Sequence, residues 1–400
     1  MTHISPPKYA LNVLHRLESA GFQAFLVGGC VRDMLMNCRP QDWDICTNAL
    51  PEQVTALFPR THPTGIKHGT VTVVSLGKPL EVTTYRNDGE YADHRRPDKV
   101  RFVSSLDSDL ERRDFTMNAI AMSASGELFD PFGGKSDIAA RLIRCVGEPD
   151  KRFDEDALRM LRALRFSAVL GFEIDGGTLA AIERSSALVS VIAAERVRAE
   201  LEKTLCSERP QTVARMISLG LLEGFVKPAR AEIDLSPLAV LPKTPALRWA
   251  GLCAILERNA LISESESFLR ALRLDNETLR CVSAGCTAVK SGIPLSPADY
   301  KRLCARLGDA GASCTAAAAE ALGHRGRLSA LRRVIRSGEC RALSQLAVTG
   351  GDLEALGYHG KAIGGELQRL LEYVIESPEQ NMRERLLSLA ENDKNSPLHS

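Results

Sequence analysis

Four hundred residues are more than one hydrophobic core holds, so about two to four subdomains are expected. Hydrophobic residues make up 44% of the chain and charged ones 25%, the balance of a soluble globular protein, and no apolar run reaches the length of a membrane span. A formal net charge of +1 neither demands nor excludes nucleic acid, so the distribution of charge has to decide.

The opening stretch "MTHISPPKYALNVLHRLESAG" lacks the apolar core of a secretory signal and reads as a helix opened by Ser5 and Pro6 and stopped near Gly21. "AFLVGG" follows as a short apolar strand ending in glycines, and "WDICT" as a second strand. "GTVTVVSLGKPLEVTTYR" alternates about a Gly77–Lys78 turn and predicts a hairpin. Beyond about residue 141 the pattern is helical, as in "ALRMLRALRFSAVLG" and "GGELQRLLEYVIES", with breaks near Gly176–Gly177, Pro228–Pro242, Pro294–Pro297 and Gly350–Gly351. The expected fold class is an α/β head carrying a long all-α extension. Eleven scattered cysteines without a C-x-x-C pair suggest small buried hydrophobes in a reduced compartment, hence a cytoplasmic protein.

Two signals share "LVGGCVRDMLMNCRPQDWDI". Gly28 and Gly29 close a strand before a helix, which permits a tight turn and lets backbone N–H groups approach a phosphate. Arg32, in the first turn of that helix, adds a guanidinium clamp; an ordinary strand–helix turn is the alternative. Asp42 and Asp44, two apart on a strand, place both carboxylates on one side and Trp43 and Ile45 on the other. Like charges so placed repel unless a cation bridges them, and Mg²⁺ in phosphoryl-transfer sites is held by one or two such carboxylates together with substrate phosphates. Glu81 completes a three-carboxylate cluster if its strand neighbours "WDI"; a solvated glutamate is the competing reading.

In "FDEDALRMLRALRF", Asp156, Arg159, Arg162 and Arg165 recur every third residue and form one slowly rotating row on a helix, beside an apolar row of Leu158, Leu161 and Leu164. Taken alone this is a solvated face with ion pairs such as Glu155 with Arg159. Residues 321–341 carry six arginines against one acid, Glu339. They form a local basic surface, serving either phosphate binding or solubility.

The blocks "LVGGCVRD", "DWDI", "GIKHGTVTVV", "EVTTYR", "RRDFTMNAIAM", "DPFGGKSDI" and "EDALRMLRALRF" occur in the order found in the class II tRNA nucleotidyltransferases (CCA-adding enzymes) and related bacterial poly(A) polymerases, which the chain resembles over residues 24–170. The resemblance implies a polymerase-beta-like nucleotidyltransferase head with a mixed sheet over residues 1–140. A helical neck (141–210), body (211–320) and tail (321–400) would follow. It also implies roles at matching positions. Asp42 and Asp44 would bind catalytic Mg²⁺ in a two-ion site, with Asp44 or Glu81 assisting removal of the hydroxyl proton. Gly28, Gly29 and Arg32 would hold the triphosphate of CTP or ATP. Arg113 and Asp114 would contact the incoming nucleotide and Asn118 the ribose side. Asp156, Arg159, Arg162 and Arg165 would read the base.

The chemistry of that last role is direct. Cytosine and adenine each present an amine donor beside a ring-nitrogen acceptor, which a carboxylate and a guanidinium match; uracil and guanine present the reverse. Arg162 and Arg165 would reach the triphosphate or hold Asp156. The partner implied is the acceptor–TΨC half of tRNA, clamped through phosphates and shape, with Arg325, Arg327, Arg332, Arg333 and Arg336 as candidates. No membrane and no protein partner is indicated. "GIKHGTVTVV" is similar to the CCA-adding form rather than the poly(A) polymerases. The full polar loop at 86–110 argues against CC-only addition and leaves A-only addition open. A non-catalytic RNA-binding relative is the remaining alternative, countered by the intact aspartate pair.

Overall fold

The first helix of the head buries the face its sequence spacing dictates. In the computed structural model, which describes residues 4–88, 100–229 and 231–394, α1 (Lys8–Ser19) buries Ala10, Val13, Leu14 and Leu17, the i, i+3, i+4, i+7 set of one stripe. It starts at Lys8, after Pro7, two residues later than the sequence suggests, and stops before Gly21 with its φ of 86°. The chain divides into two units, Met1–Thr204 with Arg215–Gly224, and Leu205–Ala214 with Phe225–Ser400.

The first unit is built on a seven-stranded mixed sheet. Its strands are β1 (Ala24–Val27), β2 (Asp44–Thr47), β3 (Thr61–Gly65), β4 (Thr70–Ser75), β5 (Lys78–Thr84), β8 (Ala121–Met122) and β9 (Leu128–Phe129), in the order β3-β4-β5-β2-β1-β8-β9. A separate pair, β6 (Arg86–Asp88) and β7 (Val100–Phe102), lies outside that sheet. Every neighbouring pair in the large sheet is antiparallel except β2 with β5. That one parallel pairing sets Asp44 directly opposite Glu81. The hairpin turn falls on Leu76 and Gly77, both at positive φ, one residue before the Gly77–Lys78 turn expected, because Lys78 already pairs with Ser75. Two central residues at positive φ match the twist of the strands they join.

Short helices α2 (Gly29–Leu35), α3 (Pro51–Leu57), α4 (Leu106–Glu111) and α5 (Gly134–Ala140) complete the head. The rest of this unit is helical: α6 (Pro149–Glu155), α7 (Leu158–Leu170), α8 (Gly176–Ser185) and α9 (Ala194–Leu205), with one small parallel pair, β10 (Leu142–Ile143) and β11 (Glu173–Ile174).

Helix α10 (Thr212–Ser218) is divided between the units, and the second unit holds α11 (Pro245–Arg258), α12 (Ser265–Ala271), α13 (Asn276–Ser291), α14 (Pro297–Ala321), α15 (Arg327–Arg336), α16 (Gly350–Ala355), α17 (Lys361–Glu376) and α18 (Arg383–Lys394). The expected breaks at Pro294–Pro297 and Gly350–Gly351 are helix starts, where Ser296 and Thr349 cap α14 and α16 through capping boxes. Gly285 on α13 lets α14 approach closely, since a Cβ there would meet Cys314 and Thr315 within 2.7–2.9 Å. All eleven cysteines are free and nine are buried, as expected of small apolar residues. No helix among the described residues is long and apolar enough to cross a membrane.

Candidate functional site

Strand β1 ends at Val27 and is followed by Gly28, whose φ of 78° and ψ of −133° turn the chain into α2. A Cβ there would stand 3.1 Å from Arg113 Nη1, so both the conformation and the space call for glycine. A Cβ on Gly29 would lie 3.6 Å from Arg32 Nη2. Two guanidiniums from distant parts of the sequence therefore converge on this turn.

Beside it lie the acids. Asp44 is the first residue of β2 and half-buried, while Asp42 stands before the strand in an exposed bend, not on it as expected. The alternation still holds, because Trp43 and Ile45 are buried. Among the described residues none of the carboxylates of Asp42, Asp44 and Glu81 is engaged in a hydrogen bond or an ion pair. Burial, then the charge of Glu81, pushes the Asp44 carboxyl up to about 6; Asp42 adds to the rise and Arg113 opposes it. An acid held uncomfortably in this way, with acceptors to spare, suits a divalent cation. Among the described residues no group of three or more His, Cys, Asp or Glu side chains is arranged to hold a metal ion on protein ligands alone.

The raised value carries a sign. Between about pH 4 and 6 the folded protein binds a proton that the unfolded chain has released, so metal-free stability falls as pH rises through that window. In the metal-free protein the stability advantage of Asp44→Asn over the parent is expected to grow from pH 4 to 7, reaching on the order of 2 kcal/mol at pH 7. Thermal melts in chelator check this, and an Asn variant no more stable than the parent counts against it.

Arg32, Asn118, Asp114 and Arg162 come together in one hydrogen-bonded network, with Arg113 beside it on Asp109. Arg32 donates to Asp33 Oδ1 at 2.6 and 2.9 Å and to Asn118 Oδ1 at 2.8 Å. Asn118 in turn donates to Asp114 Oδ1 at 3.1 Å, and Arg162 donates twice to Asp114 Oδ2 at 2.7 and 2.5 Å. Despite burial, Arg162 and Asn118 hold the Asp114 carboxyl down at about 2. Arg113 leans on Asp109, a fully buried acid that also takes two bonds from Arg112.

The row expected over 156–165 is not a single helical row. Asp156 has extended backbone between α6 and α7, and its Oδ1 accepts from Leu158 N at 3.2 Å, so it starts the second helix from outside. An aspartate competes for nearby backbone N–H groups in this manner, which is why the helix begins after it. Its Oδ2 accepts from Arg196 Nη2 at 2.8 Å, and not from Arg162 as the alternative role for that residue implied. Arg159 is buried and turned inward, donating to Glu155 at 2.7 Å and to the carbonyls of Arg152 and Arg112 at 3.0 and 2.9 Å. The Glu155–Arg159 pair is thus present, but it spans the break between α6 and α7 and is largely shielded from solvent. Arg165 pairs with Glu200, which is itself buried.

The side chains of four candidates of the basic surface, Arg325, Arg332, Arg333 and Arg336, make no hydrogen bond or ion pair among the described residues. Arg325, Arg332 and Arg333 are exposed, and Arg336 is accessible at the end of α15. The three on α15 lie away from its buried stripe of Leu328, Leu331 and Val334. Arg327 differs: it is half-buried and donates to Pro294 O at 3.1 Å, a structural role. Of the polar stretch 86–110, residues 89–99 lie outside the described residues.

Residues missed by sequence reasoning are the acids and the arginine beneath the site, Asp109, Arg196 and Glu200. A signal existed for two of them: Arg196 and Glu200 are four apart in "ERVRAELEKTL", one face of α9.

A family model described as Poly A polymerase head domain matches residues 24–144, and one described as probable RNA and SrmB- binding site of polymerase A matches residues 171–232. The CCA-adding enzyme of Limosilactobacillus fermentum is 38% identical over 387 residues, 94% of this chain and 95% of that protein. The CCA-adding enzyme of Geobacillus thermodenitrificans is 46% identical over 283 residues, 69% of each chain. Among solved structures, the crystal structure of the Bacillus stearothermophilus CCA-adding enzyme in complex with CTP shares the fold at a TM-score of 0.83 and 37% identity, covering 98% of both chains. Identity of this degree over nearly the whole length means that the chain belongs to the family of CCA-adding enzymes.

Proposed function

We propose that this protein adds C, C and A to the 3′ end of tRNA from CTP and ATP without a nucleic-acid template, releasing pyrophosphate. The observation that carries the reading is the trio Asp42, Asp44 and Glu81, left without a neutralising ion pair among the described residues beside the guanidiniums of Arg32 and Arg113. A retired head has no reason to keep like charges side by side.

In this reading Asp42 and Asp44 hold Mg²⁺ in a two-ion site. When bound, Mg²⁺ supplies positive charge for the phosphate oxygens and acidifies the attacking hydroxyl. Arg32 and Arg113 receive the triphosphate at the glycine turn. Asp114 keeps Arg162 in place, and Asn118 joins that pair to Arg32. Glu81, facing Asp44 across the two strands, is placed to take the hydroxyl proton. Most of the rate comes from such positioning and charge neutralisation, as in other phosphoryl transfers.

Asp156 accepts the amine of cytosine or adenine. Arg159 donates to the ring nitrogen once it exchanges one of its present partners for the base. The functional division is a head over residues 1–140, a base-reading neck over 141–210, a body over 211–320 and a tail over 321–400. The tail holds the acceptor half of tRNA through phosphates. The cytoplasm is the compartment this reading requires, and eleven free thiols accord with it.

Product lengths test the proposal. Purified protein is given tRNAs ending before the first C, after the second C and after A, with CTP and ATP separately and together. Additions of three, one and zero nucleotides are expected with both present. Addition of A alone to the second substrate and nothing to the first would replace this reading with A-only addition; no addition would end it.

The tail has its own test. Replacing Arg332, Arg333 and Arg336 together by alanine is expected to weaken tRNA binding uniformly across tRNA sequences. It should also lower the slope of log affinity against log salt by about 1 for each phosphate left unneutralised. An unchanged slope would remove these arginines from the RNA surface.

A further inference from the structure

One aromatic side chain is common to the phosphate side and the base side of the site. The guanidinium carbons of Arg32, Arg162 and Arg165 lie 5.3, 5.4 and 3.8 Å from the centre of the Phe166 ring. The residue is 6% exposed, so the ring itself is shielded from water. Phe115 meets the ring edge-on, with centroids 5.7 Å apart and planes at 85°, which fixes its tilt.

Three like charges around one point repel, and the acids nearby are already assigned: Asp33 to Arg32, Asp114 to Arg162, and Glu200 to Arg165. Each carboxylate sets the outer end of one guanidinium. Asn118 ties Arg32 to the Asp114–Arg162 pair by hydrogen bonds, and none of the carboxylates reaches all three guanidiniums. The negative face of an aromatic ring does, because it attracts a cation without forming a directional bond and still packs as an apolar body.

We infer that Phe166 is a positioning residue, a shared platform that fixes the mutual placement of Arg32 and the Arg162–Arg165 pair, so that triphosphate and base are held in register. The inference rests on the nucleotide-binding reading of this site. Phe166 acts through the three arginines and not by touching either substrate. A leucine of similar reach fills the space and lacks the quadrupole; a tyrosine keeps it.

The experiment compares Phe166→Leu and Phe166→Tyr with the parent in two measurements. The first is steady-state addition to tRNA with CTP and ATP. The second is calorimetric binding of inorganic tripolyphosphate, a probe with no base and no need of turnover. Phe166→Leu is expected to raise KM for both nucleotides about 3- to 30-fold and to weaken tripolyphosphate by a similar factor, with kcat within about twofold. Phe166→Tyr is expected to stay within about twofold of the parent in all three.

Unchanged KM and tripolyphosphate affinity in the leucine variant would overturn the inference. Equal impairment of the leucine and tyrosine variants would also overturn it, since that is the signature of packing alone. If leucine prevents folding, Phe166→Met, flexible and of similar volume, takes its place under the same criteria. A parent that binds tripolyphosphate and extends no tRNA would defeat the functional proposal while leaving the calorimetric comparison to decide the role of Phe166.

Discussion

Replacing Asp44 by alanine is expected to lower nucleotide incorporation by about 10³-fold or more while leaving tRNA affinity within about twofold. Among the described residues the side chain stands half-buried beside Glu81 with no cation paired to it, so its charge has no structural work there. Removing it relieves like-charge repulsion and takes away the site for Mg²⁺ at the same time. Stability should therefore hold or rise while activity collapses, an opposition that separates a metal-holding acid from a structural one. Asp42→Ala should reproduce the loss of activity with less effect on stability, because Asp42 is exposed. Filter binding of labelled tRNA beside single-turnover incorporation gives both numbers. Equal loss of binding and incorporation would argue against a catalytic role for the pair.

The second large effect concerns fidelity. Asp156→Asn is expected to reduce discrimination against UTP by about 10- to 100-fold with CTP incorporation less affected. Aspartate offers acceptors only, whereas asparagine offers a carbonyl and an amide donor, so it can meet the uracil carbonyl as well as the cytosine amine. Asparagine also retains an acceptor for Leu158 N, keeping the start of α7 intact where alanine would not. Competition between CTP and UTP, read from product sequences, measures the ratio. Unchanged selectivity would mean that some other surface reads the base.

How much of this is legible in the chain differs from residue to residue, for physical reasons. The D-x-D pair and the glycine turn are local patterns, and period-two alternation places Trp43 and Ile45 inward correctly even though Asp42 precedes the strand. The pairing of Asp44 with Glu81 depends on strand order, which periodicity does not encode; the sequence states it only as a condition. Three-residue spacing misplaces Asp156 because it describes a helix without saying where that helix begins. A carboxylate able to cap Leu158 N is the cue that the helix starts later. Arg159 reads as a solvated or ligand-facing group because nothing in the local pattern reveals the carbonyls of Arg112 and Arg152 that bury it. Asp109 has no local cue at all. Its meaning comes from lying beneath Arg112 and Arg113 after folding, and a carboxylate three or four residues before two arginines is common on exposed helices.

The decisive measurement is a crystal structure of the Mg²⁺–CTP complex. Metal density bridging the carboxylates of Asp42 and Asp44 is predicted, with the cytosine amine within hydrogen-bonding distance of Asp156. A cytosine edge turned away from Asp156, or a metal held elsewhere than at the two aspartates, would contradict it.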